Sequence, residues 1–232
     1  MKALRLKLFQ ETACYKKPIA FKVAETYPLP PYSTVKGMLH SVIDAKEFIP
    51  MWISIQGNYD TLMVDYQKHY FFKKSNTNEF VLTLAGLGTD LEPNDISSMP
   101  IYTHMLFNVK LLIHVHAEEA ILQQLKKNII NGTTHLSLGR WEDLVRVDEC
   151  EIVNLKENEE EELELNYDAY IPKQQKKRNS KYYSYKLNWK YKIIENTRVW
   201  EKIEAEYVQK GETVDNYSYL DPHKDMVFFP VL

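Results

Sequence analysis

Cysteine is nearly absent from this chain: Cys14 and Cys150 are the only two in 232 residues, far apart and outside any CxxC pair. That argues against a disulfide framework and a zinc ribbon and fits a reducing cytoplasm. Long apolar runs are missing too. No stretch approaches membrane-spanning length, and the opening MKALRLKLFQ alternates charged with apolar groups instead of building a signal core. A chain neither secreted nor membrane-embedded is expected. Catalytic signatures are equally scarce. There is no HExxH, no Cys-His cluster, no GxSxG and no P-loop, and Gly86-Leu87-Gly88 lacks the strand-to-helix context of a nucleotide fingerprint. His114 and His116 lie two apart on a strand and share a face, but no third ligand sits at a recognisable spacing, so neither a metal nor another cofactor is expected. Acid-base cleavage of RNA needs only one well-placed His, Lys or Tyr, and these absences leave it open.

What is present suits one good-sized globular unit. Apolar residues make up 44% and charged residues 26%, enough for a core without staples, and 16 tyrosines favour strands and polar contact surfaces. The net charge of -3 argues against a surface wholly given to nucleic acid. Its distribution says more: Lys2, Arg5, Lys7, Lys16, Lys17, Lys22 and Lys36 outnumber Glu11 and Glu25 in the first 40 residues, while acid gathers at Glu157 to Glu164.

Leu4, Leu6 and Leu8 alternate with Arg5, Lys7 and Phe9, predicting a half-buried strand with a cationic, aromatic outer face. Pro28, Pro30 and Pro31 then hold the chain extended, so no helix begins before Pro31. Ser33 or Thr34 is the expected N-cap of a helix burying Val35, Met38, Leu39, Val42 and Ile43 and ending near Ala45. Strands are predicted over 51–56 and 61–72 around the turn 57–60, with a loop-rich excursion over 73–100. Alternation at Val109, Leu111, Ile113 and Val115 gives a strand, 117–130 a helix closed by Asn131-Gly132, and 144–155 another strand. The order predicts an α+β fold of ferredoxin-like type over residues 1–155, with a thumb inserted around 60–105 and a small antiparallel β extension over 156–232. In that extension, the acidic block and the basic run Lys173 to Arg178 together suggest a hairpin tip, and Tyr183 to Ile193 alternates as a strand followed by another over 199–208.

Three segments carry candidate chemistry. The junction Pro30 to Gly37 offers free N–H groups at a helix start, the hydroxyls of Ser33 and Thr34, and Lys36 one turn in, with Lys16 and Lys17 adding charge. Taken by itself the junction reads first as an ordinary capped helix with Lys36 in water. Residues 171–192 interleave eight basic residues with five aromatics, which suits an RNA strand or, alternatively, a hairpin with one aromatic face buried. In His135 to Trp141, Gly139 permits close backbone approach, Arg140 can fork onto phosphate and Trp141 can stack on a base. A plain glycine turn with a half-buried tryptophan fits as well.

YPLPPYSTVKGMLHSVIDA, residues 27–45, is similar to a segment of the family-five Cas proteins: a proline-rich loop, Ser-Thr, a basic residue, Gly and an apolar helix. HLSLGRWEDLVRVDECEI, residues 135–152, resembles the same family's Leu-Gly-Arg turn, acidic pair and strand. The resemblance implies a prokaryotic repeat-associated (RAMP) protein related to RNA recognition folds, nearest the subtype I-B branch. It implies a Cascade subunit that grips the 5′ handle of CRISPR RNA in antiviral defence and caps a filament of family-seven backbone subunits. Such a subunit also meets the family-eight large subunit, and target DNA through the complex. The handle would lie on Lys16, Lys17, Tyr32, Ser33, Thr34, Lys36, Gly37, Gly139, Arg140 and Trp141. One branch of the family cleaves precursor RNA without metal; its catalytic trio finds no counterpart here, so no catalysis is expected, with metal-independent endoribonuclease as the alternative.

Overall fold

The leucine alternation produces β1 (Lys2–Ala13), a longer and more deeply covered strand than the pattern predicts. The computed structural model describes residues 1–18, 23–72, 96–132, 135–158, 162–173, 182–215 and 219–230. After β1 come β2 (Val23–Ala24), α1 (Tyr32–Val42), β3 (Trp52–Asn58), β4 (Thr61–Phe72), β5 (Ile96–His116), α2 (Glu119–Ile130) and β6 (Arg146–Asn154). Short strands β7 (Lys156–Glu157), β8 (Glu162–Glu164) and β9 (Asp168–Pro172) lead to the hairpin of β10 (Tyr182–Ile194) and β11 (Thr197–Val208). The described chain closes with β12 (Thr213–Asp215), β13 (Tyr219–Leu220) and β14 (Met226–Val227).

Among the described residues, nine strands share one sheet in the order β10-β11-β9-β3-β5-β1-β6, with β2 and β4 also paired to β5. Only the β2 pairing is parallel. This is a mixed architecture in which a large antiparallel sheet carries two helices. Leu4, Leu6 and Leu8 pack with Ile53, Ile55, Ile113 and Val115 beneath Val35, Leu39 and Val42 of α1 and Leu122, Leu125 and Ile129 of α2. The other face is not the solvent face that alternation suggests. Arg5 is fully buried there, its guanidinium on Asp221 (2.7 Å) and Asp225 (2.9 Å), while Ala3 packs with Val227 and Phe229. The chain end folds back across β1, and a strand written as half-buried is covered twice.

β3 runs through Gly57 instead of turning there. A Cβ at Gly57 would sit 2.5 Å from the Lys110 carbonyl oxygen, so glycine is what lets β3 lie this close to β5. β4 and the first half of β5 form a long antiparallel arm, from Thr61 opposite Phe107 to Phe72 opposite Ile96. Residues 96–100, read from sequence as loop-rich, are strand; residues 73–95, with Gly86, Gly88 and much of the expected thumb, lie outside the described residues. Asn108, at φ 49, marks where β5 passes from arm to core, and its side-chain amide donates to Asp60. Beyond residue 155, β9, β10 and β11 prolong the main sheet on the β3 side. Glu157 belongs to β7 and Glu162 to β8, strands of two different small sheets, so the ends of the acidic block do not form one hairpin tip. Lys22 and the basic run 174–181 fall outside the described residues.

Candidate nucleic-acid interface

Pro31 is the N-cap of α1, extended at φ -62 and ψ 153, and its carbonyl accepts from the Thr34 and Val35 N–H groups. Neither Ser33 nor Thr34 caps the helix. The proline fixes φ and the helix starts at once, placing both hydroxyls inside the first turn, where they are half-exposed. Tyr32 is corrected as well: it is fully buried, 5.4 Å edge-on from the Trp189 ring and 6.2 Å from that of Tyr170. It belongs to a tyrosine cluster with Tyr170, Tyr185 and Tyr207, and the Tyr170 hydroxyl donates to the Leu29 carbonyl at 2.8 Å. Much of the tyrosine surplus is therefore core.

Lys36 departs furthest from either sequence reading. It neither points into water nor waits at the surface for a phosphate; it is 4% exposed, and its Nζ makes no hydrogen bond. The amine lies 3.0 Å from the Trp189 ring centroid and 5.2 Å from that of Phe48. A buried polar group without a partner costs about 1–3 kcal/mol, offset here in part by cation–π attraction. Burial, assisted by the charge of Lys190, lowers the Lys36 amine from the ordinary lysine range to about 7. A cavity of about 360 Å³ opens beside it, lined by His40, Phe48, Trp189, Tyr191 and Trp200. Gly37, exposed and with nothing within 4 Å of a built Cβ, adds one open wall.

The second motif folds into a clamped turn. Gly139 has φ +113, and a Cβ there would meet the Asp143 carboxylate at 2.8 Å and the Cys14 carbonyl at 3.0 Å, so both conformation and space demand glycine. Asp143, fully buried, accepts from the backbone N–H groups of Cys14 and Arg140. The Arg140 fork, expected on phosphate, is already engaged: Nη2 reaches Asp143 at 2.7 Å and Nη1 reaches Glu142 at 2.9 Å. Trp141 is not the half-buried ring of the plain-turn reading. It stands 86% exposed, projected from a rigid turn.

That turn adjoins the end of β1, where Lys16 is exposed and Lys17 pairs with Glu25 at 3.1 Å and lies 5.9 Å from the Tyr27 ring centroid. Tyr27 in turn meets Tyr185 of β10 edge-on at 5.4 Å. The structure thus joins Lys16, Lys17, Gly139, Arg140 and Trp141 in one neighbourhood. Ser33, Lys36 and Gly37 belong to the cavity against β10. In β10 itself, Leu187 and Trp189 are buried, whereas Lys190 and Lys192 pair with Glu201 across the hairpin. His114 is buried against Asp221 at 3.1 Å, and His116 bonds the Lys2 carbonyl. Among the described residues no group of three His, Cys, Asp or Glu is placed to hold a metal.

Phe48, His40 and Trp200 were missed by sequence reasoning. One signal for the buried lysine was available: Tyr32, Lys36, Leu39 and Ile43 follow the i, i+4, i+7, i+11 spacing of one helical stripe, which puts Lys36 on the apolar side.

The fold is that of a known class. The chain resembles a chain from a solved CRISPR RNA-guided surveillance complex, at a TM-score of 0.54 and 13% identity over 96% of this chain and 92% of that one. It also resembles a crystallised CRISPR protein from Archaeoglobus fulgidus, at a TM-score of 0.50 and 11% identity over 100% of both chains. No curated protein matches it in sequence. The family model described as CRISPR-associated protein (Cas_Cas5) matches residues 3–222, and the chain belongs to that family.

Proposed function

We propose that this chain is a non-catalytic subunit of a type I CRISPR effector complex, nearest subtype I-B, that binds the 5′ handle of CRISPR RNA. It caps the family-seven backbone filament and meets the family-eight large subunit in the prokaryotic cytoplasm, reaching target DNA only through the complex. Family membership over residues 3–222 supports the CRISPR assignment. The core order β1, α1, β3, β5, α2, β6, with sheet order β3-β5-β1-β6, supports a ferredoxin-like, RRM-like reading of that core. The observation that carries RNA binding is Trp141, an 86% exposed ring on a turn clamped beside Lys16. Such a ring stacks on an unpaired base while nearby lysines track the backbone.

The test is purification of the full chain with its co-purifying nucleic acid. One discrete short RNA is expected, with affinity dropping by about tenfold or more between low and physiological salt. Recovery of the protein free of RNA, with no binding of repeat-derived RNA at low salt, would sink the reading. A second reading, metal-independent endoribonuclease, is favoured by one feature: beside an open cavity, burial lowers the Lys36 amine to about 7, the range of a general acid or base. Incubation with labelled repeat RNA in EDTA separates the two, since a single sharp cut abolished in Lys36→Met would establish the enzyme.

A further inference from the structure

The Lys36 cavity holds a polar group for which the fold supplies no acceptor. A lysine amine is kept in the second turn of α1 with no hydrogen-bond acceptor, between the faces of Trp189 and Phe48. Trp200 and Tyr191, packed edge-on to each other at 5.3 Å, form the wall on the hairpin side. Tyr191 and Phe48 are exposed, and Phe48 stacks on the His40 ring at 6.0 Å and 24°. Both His40 nitrogens are engaged, Nδ1 by the Lys36 carbonyl and Nε2 by the Ile49 N–H. That leaves the Lys36 amine as an unsatisfied donor, while the exposed Glu47 is the carboxylate on the same lining, which also carries Lys46 and Lys190.

Rings on several sides suit a flat apolar-faced ligand more than a phosphate, which would lose its water against them and find the other two lysines of the lining, Lys46 and Lys190, already paired with Asp44 and Glu201. An amine and a carboxylate on one lining select the edge of that ligand. Guanine presents an acceptor at O6 and donors at N1 and N2, whereas adenine and cytosine bring exocyclic amines toward an amine that, when protonated, can only donate. Uracil carries the same acceptor-donor order on a smaller ring with a single N–H for the carboxylate.

We infer that this cavity takes one guanine base extruded from the bound RNA, its O6 on the Lys36 amine and its N1–H and N2–H toward Glu47. The inference rests on the RNA-binding reading and deepens it. Phe48 is the outer cover: its half-exposed ring turns outward to admit the base edge to the amine and then stacks on the base.

The experiment uses the full chain and the co-purifying RNA resynthesised with one abasic nucleotide at a time. In the wild type, loss of a single guanine weakens binding by about tenfold, the scale of one lost stacked base. In Lys36→Met that same substitution costs about twofold or less, and replacing this guanosine by adenosine is tolerated better than in the wild type. Glu47→Gln, at an exposed position, keeps the fold and reduces the preference for guanine over adenine. If RNA binds but no base position depends on Lys36 or Glu47, the inference is wrong while RNA binding stands, and the cavity is reassigned to a side chain of a protein partner. If no RNA binds at all, both readings fall. Phe48→Ala supplies a second route should Lys36→Met fold poorly: wild-type dependence on every base would overturn the inference there as well.

Discussion

Lys36 is a residue whose cost to the fold can be read directly. In the unfolded chain its amine titrates near 10.5 and in the folded chain at about 7, so between those values the unfolded state binds more protons. The penalty is complete below about pH 7 and is relieved as pH rises toward the unfolded value. Lys36→Met, which keeps the stem and removes the amine, should therefore stabilise the protein by about 1–3 kcal/mol near neutrality. That corresponds to about 2–10 °C in melting temperature, and the gain should shrink toward pH 10 in a thermal-unfolding series. Trp141 presents the opposite case. Its ring contributes little to the fold, so Trp141→Ala should change stability by less than about 0.5 kcal/mol while weakening RNA binding by about tenfold. A large loss of stability without loss of RNA would remove Trp141 from the interface. At Gly139, alanine must accept both φ +113 and the close Asp143 and Cys14 oxygens, and a loss of about 2–4 kcal/mol in denaturant unfolding is expected.

At the scale of elements, the segment around β13 and β14 is locked to β1 and β5 by charge. Asp221 accepts from Arg5 Nε and His114 Nε2 through one oxygen, and from the His223 and Asp225 N–H groups through the other. Glu149, Glu151 and Asp225 complete the surroundings of the guanidinium. Burial works to raise the Asp221 carboxyl, but the hydrogen bonds and charges of His114, Arg5 and the Asp225 backbone outweigh it and bring the group down to about 2. Its contribution to stability is thus present above the unfolded value of 3.8 and fades as pH falls through about 2. Asp221→Ala leaves a buried guanidinium short of its partner and should cost about 3–5 kcal/mol by urea unfolding. The triple change Arg5→Met, Asp221→Leu, Asp225→Leu should cost less than that single change, because it removes the stranded charge along with its partners. The opposite ranking would show that the ion network itself is what fastens the chain end.

For the whole molecule, one sheet carries both families of candidate contacts. The β10–β11 hairpin, which looks in sequence like a free basic-aromatic binding strip, spends Leu187 and Trp189 on packing against α1 and its lysines on Glu201 and Glu204. Its tip turns through Glu195 and Asn196, both at positive φ, as a tight two-residue hairpin allows. The net charge of -3 fits a protein that gives only part of its surface to nucleic acid. Among the described residues no helix is long and apolar enough to cross a membrane.

The sequence by itself determined the elements: the period of two in β1 and β5, the release of the chain into α1 after Pro31, the glycine closing α2, and the family to which the two motifs pointed. Those are local signals, written in spacing and in backbone freedom at proline and glycine. What only tertiary structure decided was which polar groups are taken. Arg5 is buried because residues 219–230 return over β1, more than 200 positions later. Tyr32 is sunk among other tyrosines, and Lys36 faces a tryptophan from a hairpin about 150 residues away. Charge and ring count are properties of the chain, but whether a charge is free or a ring exposed is settled by neighbours distant in sequence, and that is where this site was made.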